Sequence, residues 1–169
     1  MSETSFRVHP SPVGDVLIVA SPSGIVALHP IDGPVDVEVG RVAAALHSAP
    51  EPDESTGGDI DRQLDEYFEG VRRDFDITLD WSLVNGFHRA ALEAICDIPY
   101  GETAGYGEIA IAAGSPRAAR AVGTACATTP FSLVVPVHRV IRADGSLGEY
   151  GGRPEVKRFL LDLERAADE

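Results

Sequence analysis

The sequence predicts an α/β (α+β) fold, in which a small N-terminal α/β domain with an antiparallel sheet precedes a mostly helical domain with a helix-turn-helix. Three observations predict this fold. Two apolar runs flank a Ser-Pro-Ser-Gly turn near the start of the chain, apolar residues recur at helical spacing in most of the second half, and two short helical segments there are joined by a Gly-Ser-Pro turn. We place the two domains at residues 1–80 and 85–169.

The N-terminal domain is expected to combine strands and helices. Residues 16–19 and 25–28 form the predicted strand pair around the first turn. Helical spacing of apolar residues follows in segments 37–49 and 59–71, and the alternating segment 75–81, FDITLDW, predicts a further strand. This order fits a small α/β domain.

The C-terminal domain is expected to be built from helices. Segment 87–98 has a helical core face, and the helix-turn-helix consists of residues 106–113, a turn at 114–116 and residues 117–127. The last helix starts at Pro154, because proline suits the first helical turn. The residues that this helix is expected to present inward are Val156, Phe159, Leu160 and Leu163.

Composition excludes several classes of protein. No apolar run approaches a membrane span, and the N-terminal residues do not resemble a signal peptide. Cys96 and Cys126 are the only thiols, so neither a disulfide framework nor a Cys-rich zinc site is predicted. The histidines show no metal-ligand spacing. We therefore expect a cytoplasmic protein, a monomer without metal, cofactor or membrane contact.

The charge distribution bears on nucleic-acid binding. The net charge of −13 argues against a general nucleic-acid binder, because phosphate contacts need Lys and Arg. Most of that charge lies in residues 1–84, which carry −11, whereas residues 117–158 hold seven basic and three acidic residues. A basic DNA-binding region and an ordinary mixed surface both remain open on charge alone.

The second helix of the pair, RAARAVGTACAT from Arg117, consists almost entirely of small residues. Gly123 costs such a helix about 1 kcal/mol relative to Ala. Small side chains allow close helix packing in a core, and they also allow a helix to enter a DNA groove with one long cation projecting. The pattern alone leaves both interpretations open.

Three segments, IPYGETAGYGEIA, RAARAVG and PVHRVIRADGSLGEYGG, together resemble the C-terminal domain of the O6-alkylguanine-DNA alkyltransferases. These repair proteins move an alkyl group from a guanine oxygen onto a cysteine. The match runs from residue 87 to 164, whereas the N-terminal part fits the family's ribonuclease-H-like domain only loosely, through SPVGDVLIVAS and QLDEYFEG. The resemblance implies double-stranded DNA containing O6-alkylguanine as a partner, with other repair proteins as further partners.

The resemblance also implies how DNA is bound. In the family the helix-turn-helix binds the minor groove, the alkylated base is flipped out, and an arginine takes its place. That arginine corresponds to Arg120, and the tyrosine that helps rotate the nucleotide corresponds to Tyr106. The other DNA-binding residues that the resemblance implies are Arg117, Ala118, Ala119, Ala121 and Gly123.

The sequence departs from the family at its reactive residue. The family has Cys in a Pro-Cys-His-Arg box, and this chain has Val137. The family's thiolate is prepared through a water by a His that a Glu orients, and His138 and Glu164 match these partners. Valine has no lone pair, so we expect no catalytic residue. His138 and Glu164 are then predicted to form a buried hydrogen-bonded pair.

Two further sets of residues follow from the resemblance. Thr129 stands where the family usually has an Asn hinge between the recognition helix and the active-site loop, and Gly151 replaces a residue that is often Ser. The predicted lesion pocket consists of Pro136, Val137, Tyr150, Gly151 and Gly152.

Three functions fit these residues. The first is a lesion-recognition protein similar to the alkyltransferase-like proteins, which lack the Cys, bind alkylguanine and pass the site to other repair machinery. The second is an active suicide methyltransferase, in which Val137 is an introduced substitution or Cys126 accepts the alkyl group. The third is a DNA-binding or regulatory module without lesion preference.

Overall fold

The computed structural model describes residues 3–148, 150 and 152–167. The chain divides into two compact units, Met1–Leu83 and Val84–Glu169. The α/β fold class is confirmed, because a sheet with two helices lies in the first unit and the second is mostly helical.

The first unit contains a four-stranded sheet in the order β3-β2-β1-β4. Its strands are β1 (Ser5–His9), β2 (Val16–Ser21), β3 (Gly24–Pro30) and β4 (Glu51–Pro52). The pairs β1–β2 and β2–β3 are antiparallel, whereas the short β4 runs parallel to β1. The predicted strand pair is therefore confirmed as β2 and β3, each with four consecutive buried residues.

Two helices accompany this sheet, α1 (Val35–Leu46) and α2 (Ile60–Phe68). The strand predicted in segment 75–81 is wrong, because only a single bridge joins Leu79 to β3. The side chain of Gln63 on α2 explains the difference. Its amide nitrogen donates to the Asp76 carbonyl (3.0 Å) and its oxygen accepts from the Asp76 N–H (2.8 Å), so a side chain replaces the strand partner.

The described residues of the second unit form four α-helices: α3 (Gly86–Ile95), α4 (Tyr106–Ala112), α5 (Ala119–Thr128) and α6 (Pro154–Ala167). Helices α4 and α5 are the predicted pair, and both pack against α3. Helix α5 begins two residues later than predicted. Ala118 precedes it and closes a turn with its N–H on the Ser115 carbonyl (2.9 Å), so Arg117 and Ala118 belong to that turn.

A two-residue parallel ladder, β5 (Ala104–Gly105) with β6 (Val140–Ile141), joins the start of α4 to the segment after a 3-10 turn at Val137–Arg139. This pairing brings residues 36 positions apart in the sequence next to each other.

The inward face of α6 differs from the predicted one. Phe159 is 39% exposed, whereas Lys157 and Glu164 are buried beside Val156 and Leu160. The prediction placed only apolar residues on this inward face, because it was based on hydrophobicity alone. Two charged side chains occupy core positions here because polar partners in the same unit satisfy them.

Candidate functional site

A buried cluster of charged side chains joins the 3-10 turn to α6. His138 is fully buried, and its Nε2–H donates to Glu164 Oε2 at 2.7 Å, which confirms the predicted pair. Arg139 binds the same carboxylate through two nitrogens, with Nε 2.8 Å from Oε1 and Nη2 3.0 Å from Oε2. The Gly101 N–H donates to Oε1 at 3.2 Å. Glu164 thus accepts these four hydrogen bonds from three residues, which lie in two separate segments of the chain.

Arg139 also donates through Nη1 to the Ile98 carbonyl at 2.7 Å, and its guanidinium lies 5.5 Å from the Tyr100 ring centroid. It therefore braces the loop, and it is only 6% exposed. Arg139 and Lys157 are both buried, so neither adds to a basic surface formed by residues 117–158.

The cluster holds His138 neutral. Burial lowers the pKa of His138, Glu164 opposes this by favouring the charged form, and the cations Arg139 and Lys157 lower it further. The Nδ1 atom is buried, and no described residue forms a hydrogen bond with it.

A pocket with a volume of about 460 Å³ lies on the outward side of α5, and its wall forms a concave surface. Val122, Ala125 and Cys126 point into the core from this helix, so its small residues provide close packing on one side and a smooth surface on the other. The residues that line the concave surface are Tyr106, Ala119, Arg120, Gly123, Thr124, Ala127 and Arg142.

Tyr106 is the first residue of α4 and forms one side of this surface. The Lys157 ammonium lies 3.5 Å from the Tyr106 hydroxyl and also donates to the Val140 carbonyl. A Cβ added to Gly123 would lie 3.8 Å from the Tyr106 ring, and a Cβ added to Gly148 would overlap it. The ring is therefore positioned by the ammonium of α6, by α5 and by the Gly148 backbone.

Two family models match the chain. The DNA binding domain of 6-O-methylguanine DNA methyltransferase matches residues 86–166, and the ribonuclease-like domain of the same family matches residues 5–81. The methylated-DNA–protein-cysteine methyltransferase of Mycobacterium tuberculosis is 38% identical over 161 residues, covering 95% of this chain and 92% of that protein. The chain belongs to the methylated-DNA–protein-cysteine methyltransferase family.

Other members of this methyltransferase family agree. The enzyme from Methanosarcina barkeri is 37% identical over 91% of this chain and 92% of its own. The crystal structure of Mycobacterium tuberculosis O6-methylguanine methyltransferase superimposes with a TM-score of 0.82 at 36% identity, covering 97% of this chain and 94% of that one. The structure of the mycobacterial protein in complex with DNA also gives 0.82, over 96% and 94%. The chain is thus a DNA-repair alkyltransferase-family protein with a DNA-binding domain.

The structure brings four of the predicted DNA-binding residues of this methyltransferase-family chain to the concave surface: Tyr106, Ala119, Arg120 and Gly123. Arg117 and Ala118 lie in the preceding turn, and Ala121 does not line the surface. Sequence reasoning missed three lining residues. Thr124 and Ala127 follow Arg120 at helical spacing, a signal available in the sequence. Arg142 is brought there by the β5–β6 pairing, which has no local signal.

The residues predicted for the lesion pocket are only partly described. Pro136, Val137 and Tyr150 are buried, and burial raises the pKa of Tyr150 to about 12. Gly152 has a φ of +77°, which favours glycine, and Gly151 lies outside the described residues. A pocket shared by these residues stays a prediction.

Thr129, the predicted hinge, closes a local turn at the end of α5. Its hydroxyl donates to the Phe131 carbonyl at 2.7 Å and accepts from the Phe131 N–H at 3.0 Å. Its side chain therefore fixes the direction in which the chain leaves the helix.

Across the described ranges, no helix is long and apolar enough to span a membrane, and no group of three or more His, Cys, Asp or Glu side chains is arranged to hold a metal ion.

Proposed function

We propose that this protein binds O6-alkylguanine in duplex DNA, receives the flipped base in its helical unit and releases it unchanged. The observation that carries the proposal is Val137, a buried side chain at the position of the family's reactive cysteine. An isopropyl group has no lone pair, so no bond to the alkyl carbon can form at this position. Binding is then reversible, and one molecule can act repeatedly.

The outward side of α5 supports the DNA-binding part of the proposal. Apart from Arg120, the α5 residues that line the concave surface are no larger than threonine. A helix face of this kind fits a minor groove about 6 Å wide, where larger side chains would collide with the walls. Arg120 is exposed on this face and is suited to fill the space of an extruded base, which offsets an unstacking cost of a few kcal/mol.

The alternative of alkyl transfer to another cysteine has little support. A thiol reacts as its thiolate. Burial raises the pKa of Cys126 to about 12, and partial burial with the neighbouring Asp97 and Glu93 raises that of Cys96 to about 11. Both thiols are therefore protonated at neutral pH, and Cys126 points into the core.

Fluorescence anisotropy with two matched duplexes, one containing O6-methylguanine and one guanine, tests the proposal. We expect tighter binding to the lesion and loss of this preference in Arg120→Ala. Arg165→Ala, which removes an exposed arginine of α6 that does not line the concave surface, is the matched control and should keep the preference. A preference below about twofold in the unaltered protein, roughly 0.4 kcal/mol, would indicate a DNA-binding module that does not recognise the lesion.

Intact-mass spectrometry after incubation with the methylated duplex tests the absence of transfer. The mass should not change, and an increase of one methyl group would establish an active transferase. We also propose that the protein acts as a monomer, which light scattering with and without DNA would measure.

A further inference from the structure

We infer that Arg142 is a second DNA contact of this protein, which binds a backbone phosphate beside the nucleotide that meets Tyr106. Arg142 lines the same concave surface as Tyr106 and Arg120, and its side chain is exposed. The inference deepens the proposed function, because it requires that this surface receives DNA.

The parallel ladder places Arg142 beside Tyr106. Gly105 of β5 is paired with Ile141 of β6, and the two strands run in the same direction. The residues that follow this pair, Tyr106 and Arg142, therefore leave the ladder side by side. One begins α4 and the other begins the loop toward Gly148.

The backbone of Arg142 is held at both of its polar atoms. Its N–H donates to the Ser146 carbonyl and its carbonyl accepts from the Gly145 N–H, each at 2.9 Å. Phosphate binding needs a cation at a defined place, since most protein–DNA hydrogen bonds to the backbone serve to position the protein. These hydrogen bonds close a five-residue loop at the end of a strand, and the loop holds the backbone of Arg142 at a defined place.

The two arginines of the surface differ in their attachment. Arg120 projects from the smooth face of α5, where an inserted side chain meets base edges, whereas Arg142 lies on the loop that follows β6. We therefore assign Arg142 to the phosphate backbone, which carries no sequence or lesion information. Its loss should weaken binding to every duplex by the same factor.

Among the described residues of this loop, one acidic residue opposes this contact. Asp144 lies in the same loop, and its pKa is lowered by two hydrogen bonds from Ser146, with a smaller effect of Arg142. Asp144→Asn removes the charge and keeps an oxygen that can accept both hydrogen bonds. This variant should bind both duplexes more tightly, opposite in sign to Arg142→Ala.

Affinity for the lesion and plain duplexes is measured from about 50 to 200 mM salt, where each phosphate contact contributes about 0.9 to the slope of log K against log salt. We expect Arg142→Ala to weaken both duplexes equally, several-fold, and to lower the slope by about 1. Arg142→Lys should keep the slope, because lysine binds phosphate as a point charge. Arg165→Ala is the control, and circular dichroism verifies that each variant is folded.

The outcomes separate the two proposals. If Arg142→Ala behaves as Arg165→Ala does, the phosphate contact is refuted. If it changes the lesion preference, Arg142 reads the base and the assignment is wrong. If the unaltered protein binds both duplexes equally, lesion recognition fails, yet the slope of Arg142→Ala still decides the phosphate contact. If it binds neither duplex, both proposals fail.

Discussion

Replacing Glu164 with Gln tests whether the buried cluster holds the second unit together. Glu164 is 1% exposed and accepts hydrogen bonds from His138, from Arg139 twice and from the Gly101 N–H. Glutamine retains one acceptor oxygen, and its NH2 group cannot accept from Arg139. The guanidinium keeps its charge in a buried site without its carboxylate. Removing one partner of a buried ion pair costs about 3–5 kcal/mol, and we expect the free energy of unfolding to fall by that amount.

Urea denaturation followed by circular dichroism at a helical wavelength measures this change. Tryptophan fluorescence is unsuitable, because Trp81 is the only tryptophan and lies in the first unit. Glu155→Gln is the matched control, as it makes the same substitution on the same helix in an ion pair whose Glu side chain is 66% exposed. Exposed pairs contribute about 0–1 kcal/mol. A loss in Glu164→Gln no larger than in this control would refute the reasoning.

Three other predictions concern the nucleophile position, the pH dependence of stability and two glycines within helices. Val137→Cys should gain one methyl group from O6-methylguanine DNA, because the neutral His138 is the neighbour of the new thiol in the chain. Intact-mass spectrometry measures this gain. A folded variant that gains no methyl group would show that His138 and Glu164 do not suffice to activate a thiol at this position. Burial lowers the folded-state pKa values of His29 and His138, so the unfolded chain binds protons first as the pH falls. The free energy of unfolding should therefore be at its full value above about pH 6.5 and should fall below that pH by up to about 1.4 kcal/mol per pH unit for each histidine. Urea titrations at pH 5, 6 and 7 measure this loss. Gly40→Ala and Gly123→Ala should each raise the free energy of unfolding by about 0.5–1 kcal/mol, because an added Cβ meets nothing within 4 Å at Gly40 and only ordinary contacts at Gly123. Fluorescence anisotropy should show weaker DNA binding for Gly123→Ala alone, because Gly123 lines the concave surface.

Local sequence patterns predicted the elements whose partners are close in the chain. The runs at β2 and β3 are apolar throughout and adjacent, so their pairing was evident. Strand β1 was not separated from them, because it carries Arg7 and His9, whose partners lie on α2. Arg7 pairs with Asp61 at 3.4 Å and His9 with Asp65 at 2.7 Å, more than 50 residues away. No local pattern records such pairs.

The same limit applies to the candidate site. The resemblance to the family singled out the His138–Glu164 pair, which the structure confirms, because the pair belongs to a recognisable motif. It also singled out Tyr106 and Arg120, which line one concave surface and whose DNA-binding roles stay predictions. The burial of Lys157 depends on the Val140 carbonyl and the Tyr106 hydroxyl, which two separate segments supply. A charge count over a contiguous stretch treats such a lysine as a surface cation. Folding decides which cations reach the surface.

The buried cluster of charged side chains and the concave surface differ in what they indicate about function. The side chains of His138, Arg139 and Glu164 connect the 3-10 turn, the Ile98 carbonyl and α6, so the fold needs them whether or not alkyl transfer occurs. Their presence next to Val137 is therefore no sign of catalysis. Arg120 has no such structural need, because it is exposed on α5. In the proposed function the partner of this face is a DNA groove, which fits its shape and charge. The function of this chain is thus to be tested first at Arg120, on the surface that remains complete without a nucleophile.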